Sequence, residues 1–238
     1  MVTLSANAVD VWLTETSDVR SEDLDASRKL LSPDEIARNQ SFRLEKDRTL
    51  DLCARVHLRR VLSNYARLAP EGWDFRVSDS GRPEIANAGF TWLHFNLSHT
   101  AGLVASAVSL NPEIGIDVEY TGTVREIMEV ARVAFTQTEI ESLQAIEASE
   151  RSRRFFELWT LKEAYAKATG QGAKLDFRLI SFQSGPGGVE ARFDPSLDDN
   201  PREWHFEIGQ PTPVHQLAVA VRLPVNSAPA LRFETIRL

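Results

Sequence analysis

The strongest periodic pattern in the chain runs from Leu158 to Gly172. Leu158, Leu161, Tyr165 and Ala168 recur three and four residues apart, which places them on one buried face of a helix. Trp159, Glu163 and Lys167 stand four apart on the adjacent face, so a carboxylate and an ammonium line up beside the buried stripe. Gly170 then supplies a left-handed cap, and the spacing predicts a helix over about 152–169. A second long pattern, with Leu52, Val56, Arg59 and Leu62 among its repeats, predicts a helix from about Arg48 to Leu68, closed by Pro70 and Gly72. Ser32-Pro33-Asp34-Glu35 reads as a helix start with a serine cap, and Thr136-Gln137-Thr138-Glu139 has the form of a capping box. Alternating or continuous apolar runs predict strands over 9–14, 73–77, 90–97, 102–110, 114–120, 204–208 and 216–223, with turns at Asp79-Ser80-Gly81 and from Gly185 to Gly188.

These elements repeat in order. A long helix is followed by Asp74-Phe75-Arg76-Val77 in the first half and by Asp176-Phe177-Arg178-Leu179 in the second, and each half then continues through strand pairs. The repeat predicts two similar α/β units, divided at 1–110 and 111–238, with a ligand site in the cleft between them. Chance matching of a four-residue string is the competing explanation.

Composition narrows the class. The 238 residues are 42% apolar and 26% charged, ordinary globular values. A single cysteine, Cys53, excludes an internal disulfide and reads as a buried thiol in a reducing compartment. With no signal-like N-terminus and no long apolar run, the expectation is a cytoplasmic protein with no membrane contact. The net charge of -7 argues against nucleic-acid binding. Yet 22 of the 27 basic residues are arginines, and Arg38, Arg43, Arg48, Arg55, Arg59 and Arg60 crowd one segment. A guanidinium fork matches phosphate oxygens, so a local phosphate site competes there with a solvated helix face.

Candidate chemistry gathers at four places. Ile114-Gly115-Ile116-Asp117-Val118-Glu119 alternates, so Asp117 and Glu119 project from one side of a strand and either stay solvated or share a cation. Glu163 from the long helix would complete three carboxylates around a divalent ion, an arrangement suited to phosphoryl chemistry. Ser98-His99 places a hydroxyl and an imidazole at a strand end, and Gly81-Arg82-Pro83 puts a cation on a tight turn. A scaffold whose charges merely decorate its surface is the alternative from a different class.

Gly115 to Glu119, Trp159 to Lys167 with Lys162-Glu163-Ala164, and the Gly170-x-Gly172 tail together resemble the two signature motifs of the 4'-phosphopantetheinyl transferases. Gly-Arg-Pro and Asn96-Leu97-Ser98-His99 resemble further motifs of the larger class, typified by the enzyme that activates surfactin synthetase. The resemblance covers roughly residues 32–172. It implies an α+β fold: a pseudo-twofold monomer of two similar subdomains, each a long helix on a small, mainly antiparallel sheet. It also implies holo-[acyl-carrier-protein] synthase activity, in which the phosphopantetheine arm of coenzyme A passes to a serine of an acyl or peptidyl carrier protein, releasing adenosine 3',5'-bisphosphate. On that resemblance Asp117, Glu119 and Glu163 hold Mg2+, and Lys167 neutralises the pyrophosphate. Arg38, Arg48, Arg82, Ser98 and His99 would bind the nucleotide end of coenzyme A. The base that deprotonates the serine stays open between Glu163, Glu139 and a magnesium-bound water, and for Glu139 the capping box is a rival reading. Arg82 stands where many relatives carry lysine, and Thr100 where serine is common. The motifs leave open which carrier is modified and whether acylated coenzyme A is accepted.

Overall fold

A computed structural model describes residues 1–238 apart from positions 18, 20, 80, 123–125 and 186, and apart from the side chains at 21 and 25. Two of the expected turns each include one such position, Ser80 and Pro186, which lies outside the described residues. The chain forms two compact units, residues 1–112 with 230–238 and residues 113–229.

The first unit runs β1 (Ala8–Glu15), α1 (Ser21–Ser27), α2 (Pro33–Ser41), α3 (Glu45–Leu62), β2 (Phe75–Val77), β3 (Pro83–Ile85), β4 (His94–Thr100) and β5 (Leu103–Ser109). The Ser32 start is a capping box: the Ser32 hydroxyl accepts from the Glu35 N–H while the Glu35 carboxylate accepts from the Ser32 N–H. Leu52, Val56 and Leu62 lie on the buried side of α3 as their spacing requires. Every residue of β5 is buried, as befits a central strand covered by α3 on one face. Leu58, Val61, Leu62 and Tyr65 meet Trp12, Trp73 and Phe95 in one apolar cluster.

The second unit runs β6 (Ile114–Tyr120), α4 (Ile127–Ala134), α5 (Gln137–Ala145), α6 (Ala148–Ala168), β7 (Ile180–Gly185), β8 (Gly188–Phe193), β9 (Trp204–Thr212) and β10 (His215–Arg222). Its sheet is antiparallel, ordered β6-β10-β9, and α6 packs across β6 and β10. The predicted stripe holds: Leu158, Leu161 and Tyr165 are inaccessible, and Gly170 takes the left-handed φ of 69°. Both long helices begin earlier than their periodicity indicated. The Asp176-Phe177-Arg178-Leu179 string is a 3-10 turn rather than a counterpart of β2, because Asp176 caps the Arg178 N–H.

The expected division at 110/111 needs a correction at the C-terminal side. After β10 the chain returns to the first unit as β11 (Ala230–Thr235), which pairs parallel with β1 and gives a four-stranded sheet ordered β11-β1-β5-β4. Arg232 on β11 forks onto the buried Asp10 carboxylate, and the Thr14 hydroxyl donates to the Ile236 carbonyl. Each unit is thus a long helix on a small, mainly antiparallel sheet, and β1-β5-β4 has the same order of strands as β6-β10-β9.

Candidate active site

Gly115, Asp117 and Glu119 occupy one face of β6, the face on which α6 lies. Contact is close because Gly115 has no side chain. A Cβ built there would sit 1.9 Å from the Ala164 carbonyl oxygen and 2.7 Å from the Ala168 nitrogen. The strand therefore approaches the helix backbone at one end and presents its two carboxylates beside the next turns of the helix. Lys167 donates to Asp117 Oδ1 at 2.7 Å and to the Ile116 carbonyl at 3.2 Å. Trp159, two helical turns earlier, and Glu163 between them stand on the same stripe of α6, beside Glu119.

The electrostatics follow from three carboxylates facing one ammonium. Burial and then the charge of Asp117 push Glu119 up to about 7, with Glu163 adding to the rise and the nearby Trp159 indole and Lys167 opposing it. Glu163 is also raised, first by burial and then by Asp117, with Lys167 opposing. Near neutrality Glu119 keeps a share of the proton that an ordinary carboxylate has lost. A cation brought here would find hard oxygen donors and surplus negative charge. Among the described residues no three His, Cys, Asp or Glu side chains form a ready-made cage. The donor set fits Mg2+ in the manner of sites that give one or two carboxylates and draw the remaining ligands from water and phosphate.

Glu139 has a different occupation. Its Oε2 closes the capping box on Thr136 and accepts from Lys162 Nζ at 2.9 Å, while its Oε1 accepts the Phe182 N–H. The residue is 3% exposed. This corrects the candidacy of Glu139 as a base: both oxygens are committed to structure. Lys162, inaccessible and bonded to the Phe177 and Ile180 carbonyls, is likewise sequestered.

The remaining candidates belong to the first unit, where the structure brings together only some of them. Arg38 and His99 line a pocket of about 590 Å3 together with Arg55, Arg59 and Arg76. Arg55 pairs there with Glu35 and Asp51, and Arg59 with Glu35, so part of the arginine crowd ties α3 to the start of α2. Arg48 donates to the Phe42 and Arg43 carbonyls, and Arg82 to those of Phe95 and Pro112. Ser98 and His99 are neighbours on β4, so their side chains leave opposite faces, Ser98 buried and His99 exposed. Trp159 was visible in the helical spacing, but its place beside Glu119 comes from tertiary packing that the spacing does not report.

Two family models match the chain, one described as the 4'-phosphopantetheinyl transferase superfamily over residues 113–222 and one as 4'-phosphopantetheinyl transferase, N-terminal, over 18–111. The 4'-phosphopantetheinyl transferase HetI of a Nostoc species is 33% identical over 177 residues, spanning 74% of each chain. The 4'-phosphopantetheinyl transferase Sfp of Bacillus subtilis is 28% identical over 197 residues, 82% of this chain and 83% of its own. A holo-(acyl-carrier-protein) synthase of Bacillus anthracis, solved with CoA (3',5'-ADP), superposes on 46% of this chain and 93% of its own, with a TM-score of 0.40 and 19% identity. The chain belongs to the 4'-phosphopantetheinyl transferase superfamily.

Proposed function

We propose that the protein transfers the 4'-phosphopantetheine moiety of coenzyme A to a serine hydroxyl of an apo acyl or peptidyl carrier protein, releasing adenosine 3',5'-bisphosphate. The observation that carries the reading is the contact of Lys167 with Asp117, flanked by Glu119 and Glu163, in a chain of this family. Asp117, Glu119 and Glu163 would hold Mg2+, which supplies charge neutralisation on the pyrophosphate when bound. Glu163, on the helix stripe beside the two strand carboxylates, takes the proton of the attacking serine. The serine oxygen bonds to the phosphorus that bears the pantetheine arm, and the bond from that phosphorus to the bridging oxygen breaks. Lys167, held between Asp117 and the Ile116 carbonyl, faces the negative charge that develops on the departing bisphosphate. The pocket beside Arg38 and His99 is the proposed seat of the nucleotide end.

The test is to incubate the full chain with coenzyme A, Mg2+ and a panel of apo carrier proteins and to weigh the carriers by mass spectrometry. The expected result is a mass increment of one phosphopantetheine on at least one carrier. Asp117→Asn should fold and lose transfer, and Glu163→Gln should lower it by roughly 10²–10⁴-fold. Lys167→Ala should also lower it with the fold intact. Wild-type turnover in Asp117→Asn or Glu163→Gln would remove the assigned chemistry.

A further inference from the structure

The last strand of the chain, β11, lies at the rim of its sheet. It pairs parallel with β1 on one side, and among the described residues no strand pairs with its other side. The register decides which of its backbone groups are already used. Ala230 N–H donates to the Asn7 carbonyl and Ile236 N–H to the Leu13 carbonyl, each at 2.9 Å, so Arg232 and Glu234 between them also turn their N–H and C=O groups towards β1. Leu231, Phe233 and Thr235 turn theirs outward, a row of donors and acceptors along the rim.

Side chains alternate in step. Arg232 lies beside Asp10, which also accepts from Tyr65, and Glu234 shares that face of the sheet two residues on. Phe233 leaves the opposite face and is 49% exposed. A second copy of this strand meeting the first about a twofold axis runs antiparallel, and outward-turned residues must face outward-turned residues. Three positions near the middle of the strand can carry that axis. At Arg232 it sets two guanidinium groups opposite each other, and at Glu234 two carboxylates; like charges directly opposed destabilise a pair of strands. At Phe233 it sets Arg232 of each copy opposite Glu234 of the other. Those pairs fall at the non-hydrogen-bonded positions, where facing side chains come closest. Leu231 then faces Thr235, and every outward N–H and C=O finds a partner.

We propose that two copies of this chain join edge to edge through β11, antiparallel about a twofold axis at Phe233, so that their four-stranded sheets become one continuous sheet. The two Phe233 rings meet across the axis on the face opposite the ion pairs. The order of charges, Arg232 before Glu234, favours this register and opposes its neighbours. The pairing departs from the monomer that the sequence resemblance implies, and it stands independently of the transfer reading.

The experiment is sedimentation equilibrium of the full chain at increasing concentration. The mass should rise from 26.7 kDa towards twice that value. Phe233→Pro removes an outward N–H and leaves the β1 ladder whole, so it should hold the mass at a single chain with an unchanged melting temperature. Glu234→Arg sets arginines opposite each other and should weaken association by roughly 10-fold or more; it decides the matter should the proline variant fold poorly. The register is read by oxidation of Phe233→Cys, since residues facing across a hydrogen-bonded pair stand about 5.5 Å apart at Cα, within reach of a disulfide. The natural Cys53 is buried and does not compete. Phe233→Cys should crosslink to a second copy, whereas Leu231→Cys, facing Thr235, should not. A single-chain mass at every concentration, leaving the rim to a strand of another protein, overturns the proposal. A dimer that persists in Phe233→Pro and gives no crosslink at 233 overturns it as well.

Discussion

At the scale of single residues, two positions show how an absent or neutral group shapes its unit. Gly115 is required because the Ala164 carbonyl fills the place of a side chain. Backbone cannot retreat as a flexible side chain can. Gly115→Ala should therefore push α6 off β6, costing about 1–3 kcal/mol by urea denaturation and a larger fraction of activity, since Lys167 and Glu163 move with the helix. His57 is inaccessible and neutral. The Thr14 hydroxyl gives its proton to the Ile236 carbonyl, so His57 Nδ1–H donates to Thr14 at 2.8 Å and Nε2 accepts from the Ser106 hydroxyl at 2.8 Å. Burial pulls its pKa down to about 3 from 6.5. The unfolded chain then binds one more proton than the folded chain between those values. Stability is whole above pH 6.5 and falls as the pH drops towards 3, by about 1.4 kcal/mol per pH unit in the middle of the window. His57→Gln should flatten that share of the slope in denaturation curves taken at pH 7, 6 and 5. An unaltered slope would contradict it.

Among the elements, α5 and α6 are joined by the Glu139–Lys162 pair, one of the most buried ionic contacts in the second unit. Lys162→Met should cost about 3–5 kcal/mol, because a carboxylate would remain without its cation. Adding Glu139→Gln should recover part of that loss, and chemical denaturation of both variants checks the order. The pair also shows where sequence stops being legible. The capping box at Thr136 was visible because it is local, a hydroxyl and a carboxylate three residues apart. Its partner on another helix was not, since no period within α5 reports what packs on it. The α6 stripe and the β6 alternation were legible for the same local reason, and they carry most of the candidate site. The repeated Asp-Phe-Arg string misled in detail: Asp74 lies outside β2, its N–H held by Asn87, whereas Asp176 bends its own segment into a turn. The duplication shows in the shared order of elements and strands, not in that string.

Across the whole molecule the duplication has become unequal. The hairpins β4–β5 and β9–β10 both close through two residues, at Thr100↔Leu103 and Thr212↔His215. Counted from there, Trp12 and Thr14 on β1 hold the places that Asp117 and Glu119 hold on β6. One unit kept carboxylates where the other has an indole and a hydroxyl bonded to His57. The return of β11 had no local signal, since it pairs residues more than 200 positions apart. Deleting 230–238 should destabilise the first unit, since it removes the β1–β11 ladder and the Arg232 fork on Asp10. Calorimetry should show that unit melting earlier while the second keeps its own transition, and two unchanged transitions would refute it. The same strand sets a timetable during synthesis. Residues 113–229 must all leave the ribosome before β11 exists, a wait on the order of ten seconds at translation rates of about 5–20 residues per second. Until then the outer edge of β1 is bare to any passing strand. The half of the protein made first is thus the half completed last, and a nascent chain stalled in that interval is the form most in need of a chaperone.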